Sequence, residues 1–238
     1  MPHILSPIIS KKLPGLWGEG RPYESATIYD IHNKAPNSPS VQYESHLLKP
    51  HSLPHMDAPG HIIPGGHTID WFFKENQFDR FYGKALVIRL KGNTTAPHVV
   101  TLEELKSNVH RVTNKHTPPN RLLLTLDNYP SDENGLHSQN HPLVLSEAAA
   151  NWLINENPKF CVYGTSWKST DFQPGSKERP IHKILFSKNV GIFECLHMKD
   201  VPEGEYYWFA VPLPLENASE SPVCPILLTD AEFKAMST

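Results

Sequence analysis

Between His51 and His61 the chain reads His51-Ser52-Leu53-Pro54-His55-Met56-Asp57-Ala58-Pro59-Gly60-His61. Four potential metal ligands or proton carriers share this short run, and their spacing constrains the backbone. At about 100° per residue, His51 and His55 share a helical face while Asp57 and His61 fall on another. All four positions are odd, so an extended strand would point them to one side. The same strand would separate His51 from His61 by roughly 33 Å, too far for one site. A common site requires the chain to fold back, which Pro54, Pro59 and Gly60 allow. Leu53 precedes a proline and is biased away from the α region. The expectation is a bent loop or strand end. Three imidazoles and a carboxylate suit zinc or another borderline transition metal. A chain with 14 histidines brings some together by chance, and a lone His is more often an ordinary hydrogen-bonded residue. The concentration here favours a metal site. It is not a metalloprotease signature, because H-E-x-x-H needs a Glu where Ser52 stands.

A length of 238 residues and a 39% apolar fraction predict one domain over 1–238, rich in loops given its 23 prolines. The formal net charge is −3, without a basic block, which argues against nucleic-acid binding. No run of about 18 apolar residues exists, so no membrane-spanning helix is expected. The first residues place Lys11 and Lys12 after a proline-broken apolar stretch, the wrong order for a secretory signal. A cytoplasmic protein is the expectation, and the glycosylation-like runs at Asn93 and Asn217 then carry no weight. Cys161, Cys195 and Cys224 are too few and scattered for a disulfide framework, and all three are expected to be buried free thiols.

Along the chain, Trp17 sits in a Pro/Gly-rich loop, where it either caps the core or lines a pocket for a flat substrate. Residues 26–32 and 41–48 alternate like strands. His67 and Asp70 are read as turn and cap residues before a helix. Buried strands are expected at 84–90, 121–127, 160–164 and 190–196, with further strand character at 206–215 and 225–228. Helices are expected from Thr101, with Glu104 completing a capping box, from Ser146, and over 180–186. Glu194 stands late in an otherwise apolar strand, an expensive place for a carboxylate unless it is paired or metal-bound. Interspersed strands and helices without repeats give a mixed α+β domain.

The run His51-x-x-x-His55-x-Asp57-Ala-Pro-x-His61, then Pro-Gly-Gly-x-Thr-Ile-Asp, resembles the signature of the cyclase-like metal hydrolases, which include bacterial kynurenine formamidase and isatin hydrolase. The resemblance extends through Trp17-Gly-Glu-Gly, Ser169-Thr-Asp171, and His182 followed by Glu194. It continues through Asp200-Val-Pro-Glu-Gly-Glu-Tyr and Val211-Pro-Leu-Pro-Leu to Ser221-Pro-Val, so it covers about residues 15–228. It implies a swivelling β/β/α fold of mixed sheets flanked by helices, assembled as dimers or higher homo-oligomers. It implies that His51 and His55 bind a first zinc, and that Asp57 and Glu194 bridge to a second, which His182 also binds. By the same resemblance His61 is the proton donor and acceptor, and Trp17 packs against an aromatic substrate. Glu194 favours the two-zinc formamidase form, since isatin hydrolase resembles this pattern with Gln there and one manganese. Two departures stand out: Leu53-Pro54 replaces the usual Gly-Thr, and the loop from Thr165 to Arg179 differs from the formamidases.

The activity expected is hydrolysis of a C–N bond in a small aromatic amide, N-formylkynurenine leading. The alternatives are ring opening of a cyclic amide or ester such as isatin, or a metal-binding member of the fold without catalysis. Spacing alone leaves His61 open as proton shuttle or further ligand.

Overall fold

The computed structural model describes residues 1–92, 97–132, 134–172 and 177–236. Thirteen strands occur among them: β1 (His3–Ile4), β2 (Tyr23–Tyr29), β3 (Tyr43–Leu48), β4 (His55–Asp57), β5 (Tyr82–Leu90), β6 (His98–Val100), β7 (Arg121–Leu126), β8 (Leu143–Leu145), β9 (Val162–Thr165), β10 (Gly191–Glu194), β11 (Gly204–Phe209), β12 (Glu220–Pro222) and β13 (Ile226–Leu228). The helices are α1 (Ile69–Lys74), α2 (Leu102–Thr113), α3 (Glu147–Glu156), α4 (Pro180–Phe186) and α5 (Asp230–Ala235). Nine strands form one mixed sheet in the order β1-β13-β11-β5-β7-β9-β10-β4-β12, while β2 with β3 and β6 with β8 make small two-stranded sheets. The α+β expectation holds.

The centre of the large sheet, β5-β7-β9-β10, is parallel, and α2, α3 and α4 fall in the crossovers between these strands. Such strands are covered on both faces and carry apolar residues toward each. Alternation then divides the side chains between two cores. Leu86, Ile88, Leu122 and Leu124 join Val109, Leu153 and Leu185 on the helical side. Val87 and Leu123 point the other way, toward Met56, Phe72, Phe193 and Trp208. The expected buried strands at 84–90 and 121–127 therefore form.

Several local expectations need correction. Thr101 does cap α2, its hydroxyl accepting Glu104 N–H at 3.2 Å. The Glu104 carboxylate, however, takes His98 Nε2 on the neighbouring strand at 2.9 Å rather than closing a box. The capping box is at Thr229 and Glu232, where α5 begins. The strand expected over 206–215 ends at Phe209, because Pro212 and Pro214 lack the N–H a ladder needs. Cys161 and Cys195 are buried free thiols, but Cys224 is exposed. The Asn93 run lies outside the described residues. Among those described, no helix is long and apolar enough to cross a membrane.

Candidate metal centre

The 51–61 run folds back as its prolines allow. His51 lies in a 3-10 turn (Pro50–Ser52), His55 and Asp57 on β4, and His61 in a second 3-10 turn (Pro59–His61). In β4, His55 and Asp57 are two apart and share a sheet face. The flanking strands are antiparallel and in a register that pairs Glu194 with His55 and Glu220 with Asp57. Directly paired residues point to the same side. One face of β10-β4-β12 thus gathers Glu194, His55, Asp57 and Glu220, and α4 brings His182 to it.

The polar atoms form two overlapping groups. His51 Nδ1 is 3.1 Å from His55 Nε2, and Asp57 Oδ1 is 3.9 Å and 3.4 Å from these two nitrogens. On the other side His182 Nε2 is 3.7 Å from Asp57 Oδ2 and 3.3 Å from Glu194 Oε1. Glu194 Oε2 turns back to His55 Nε2 at 3.7 Å. Asp57 has no exposed surface, yet among the described residues neither of its oxygens, nor His182 Nε2, has a hydrogen-bond partner.

The imidazoles are aimed from behind. His55 Nδ1 donates to Leu53 O at 2.8 Å, so the carbonyl of the Leu53-Pro54 departure does the positioning while the Leu53 side chain packs with Leu13 and Leu136. His182 Nδ1 lies 2.6 Å from Asp171 Oδ2. Asp171 also accepts the backbone N–H groups of Ile181 and His182, which satisfies donors left free at the start of α4. Two non-glycine residues with left-handed backbones flank these groups: Arg179 (φ 52°) just before α4, and Cys195 (φ 58°) just after Glu194. Such conformations cost about 1–3 kcal/mol and persist where the surroundings impose them.

Electrostatics follow from two carboxylates crowded with imidazoles. Burial alone would pull the His55 pKa down, but the Asp57 charge outweighs it and holds it well above the usual value. His182 behaves alike: burial is overcome by its hydrogen bond to Asp171 and by the nearby Asp57 and Glu194 carboxylates. Burial would raise the Asp57 pKa, yet His55 and His182 keep it well below the ordinary carboxylate range. His51, nearer solvent, is lowered by burial and by His55.

Above the cluster is a cavity of about 80 Å³ lined by Trp17, His51, His61, Ser169, Arg179, His182 and Glu194. A larger hollow of about 410 Å³ beside β5 and α2 is lined by residues such as Lys84, Val109 and Arg121, without clustered ligands; chemistry, not volume, marks the site. Trp17 is 37% exposed. Its Nε1 donates to His51 O at 3.1 Å, and Lys168 Nζ stands 4.1 Å from the ring centre. Ser52, where a metalloprotease would need Glu, ties this loop down through Leu16 N and the Glu19 carboxylate. The His61 ring is 4.7 Å from that of His51 and 5.9 Å from that of His182.

All seven residues singled out in the sequence, Trp17, His51, His55, Asp57, His61, His182 and Glu194, therefore meet here. His67 and Asp70 do not: His67 stacks on Trp71 and Asp70 binds Thr68 and Lys74. Sequence reasoning gave no role to Asp171, although it stood in a quoted motif, and overlooked Glu220, whose place depends wholly on strand pairing.

Comparison with known proteins gives a consistent picture. Kynurenine formamidase of Erythrobacter litoralis (strain HTCC2594) is 28% identical over 183 residues, 77% of this chain and 74% of the relative. That of Polaromonas naphthalenivorans (strain CJ2) is 27% identical over 207 residues, 87% and 83% of the two chains. Among solved structures, isatin hydrolase A from Labrenzia aggregata, bound to benzyl benzoate, shares the fold with a TM-score of 0.71 at 18% identity, covering 96% of this chain and 94% of that one. The family model described as "Putative cyclase" matches residues 9–171. With more than half its length so matched, the chain belongs to the Cyclase family.

Proposed function

We propose that this protein is a metal-dependent hydrolase that cleaves the C–N bond of a small aromatic amide, with N-formylkynurenine the leading candidate. The observation that carries the reading is Asp57, a fully buried carboxylate whose two unpartnered oxygens face two different sets of ligands. An ionised carboxylate so placed costs several kcal/mol unless opposite charge meets it. The donors fit zinc: ligands at 2.0–2.1 Å in a tetrahedral shell stand about 3.3 Å apart, and His55 Nε2 lies 3.1 Å from His51 Nδ1 and 3.4 Å from the nearer Asp57 oxygen, with 3.9 Å closing the triangle. His51, His55 and Asp57 would hold one ion; Asp57, Glu194 and His182 would hold a second. Manganese is the other ion such nitrogen and oxygen donors accept. A metal held there would supply Lewis-acid activation of water and of the scissile carbonyl.

The remaining chemistry belongs to the chain. His61, beside both ligand sets and open to the cavity, takes a proton from the attacking water and returns it to the leaving nitrogen. The cavity admits the reacting amide, and the aromatic body of the substrate lies against Trp17 at its rim. The names of the two relatives support the formamide, and the reading makes the protein a cytoplasmic homo-oligomeric enzyme of tryptophan catabolism.

Metal analysis combined with turnover of N-formylkynurenine and isatin tests it. Bound metal and formamide cleavage are expected. Isatin opening alone would move the assignment to ring-opening hydrolysis, and metal without either turnover would leave a non-catalytic member of the fold. Absence of bound metal would reject the reading.

A further inference from the structure

Each ligand imidazole needs an acceptor behind it, because a ring nitrogen that gives its lone pair to a metal leaves the proton on the other nitrogen. His55 has Leu53 O and His182 has Asp171. His51 is the third, and its ring is oriented informatively. Nδ1 faces His55 and Asp57, while Nε2 faces Glu220 Oε2 at 3.8 Å. Glu220 is the carboxylate within 4 Å of that nitrogen among the described residues. It is partly buried on β12, opposite Asp57 in register, and Ser219 Oγ donates to the same oxygen. His61 Nδ1 lies 4.0 Å from it as well.

We infer that Glu220 is a positioning residue of the metal centre: it accepts Nε2–H of His51 and so holds Nδ1 toward the ion. Without metal, His51 Nδ1 and His55 Nε2 lie 3.1 Å apart and share one proton between them. Metal entry displaces that proton, and the neutral ring must carry its proton on Nε2, where Glu220 receives it. The rival arrangement, an outer ion on His51, His61 and Glu220, would demand both lone pairs of His51 at once when the inner ion is bound. That requires an imidazolate, and the single-acceptor arrangement avoids it.

This inference rests on the proposed metal site, and the test separates the two. Zinc affinity is measured by chelator competition for the wild type, Glu220→Gln and Glu220→Ala, with the ¹⁵N resonances of the His51 ring recorded with and without zinc. Loss of a supporting acceptor typically weakens metal binding about 10–100-fold. That loss is expected for Glu220→Ala at unchanged stoichiometry, with a smaller one for Glu220→Gln, which keeps an acceptor oxygen. The zinc-loaded wild type should show His51 bound through Nδ1 and protonated at Nε2. A wild type that binds no zinc overturns both readings. Variants that bind zinc as tightly as the wild type overturn the role of Glu220 alone, as does loss of a whole equivalent of metal, which would make Glu220 a ligand. If the alanine variant does not fold, the glutamine variant and the wild-type resonances decide; zinc bound through Nε2 of His51 would sink the inference.

Discussion

His61 and Asp171 both neighbour His182, and the proposed function gives them different work. His61 borders both ligand sets, and one of its ring nitrogens lies within metal-binding reach of Asp57 and His182. His61→Ala should keep its metal and lose about 10²–10⁴ in turnover, the usual worth of general acid–base help. Metal analysis beside the kinetics decides the matter, since loss of metal would make His61 a ligand. Asp171 acts through the ring of His182 and through two backbone N–H groups of α4. Asp171→Asn should weaken zinc binding about 10–100-fold, read by chelator competition; unchanged affinity would show that the helix alone aims His182. The residues themselves were largely legible in the sequence. His51, His55, Asp57 and His61 are close along the chain, and their prolines announce the fold-back. Glu194 stood out as a carboxylate in an apolar strand, but its link to the 51–61 run, like that of His182, required the family resemblance. Glu220 was illegible because no local feature of Ser219-Glu220-Ser221 reveals that β12 will lie against β4.

Elements were readable where local chemistry decides them and blurred where neighbours compete. Ser146 starts α3 as expected, accepting Ala149 N–H at 3.2 Å. Thr101 and Glu104 have the same spacing as Thr229 and Glu232, yet only the second pair closes its box, because His98 draws Glu104 away. Sheet order was not readable at all: apolar runs at 121–126 and 191–194 announce buried strands, but either could pair with several others. The box at α5 offers a control remote from the site. Thr229→Ala should cost about 0.5–2 kcal/mol, a drop of roughly 2–4 °C in melting temperature per kcal/mol for a chain of this size. Zinc affinity should not change. A variant that lost metal along with stability would mean that α5 and the β4 region are coupled.

At the scale of the whole molecule, the proposed centre should tie folding to both pH and metal. With the metal absent, the pKa values of His55 and His182 lie well above 6.5 in the folded chain. The folded state therefore holds protons that the unfolded state has already released. Their contribution is complete below the unfolded pKa of about 6.5 and is lost as pH rises through the folded values. The opposite shifts, of His51 and of His137 at about 4, act below 6.5, where the unfolded imidazoles take up protons and the folded ones resist. Asp57, depressed by its imidazoles, withdraws its contribution only as pH falls below about 3.8. Between pH 6.5 and 8.5 the His55 and His182 pair should govern, at up to about 1.4 kcal/mol per pH unit for each proton. Chelated protein should melt at progressively lower temperature across this window. Zinc must expel the same protons to bind, so its affinity should rise with pH, and the stabilisation it adds should widen as the chelated protein weakens. Melting curves at several pH values, with chelator and with zinc, measure both trends. A flat chelated series, or a zinc increment that shrinks toward pH 8.5, would show that the buried carboxylates are not balanced by protonated imidazoles.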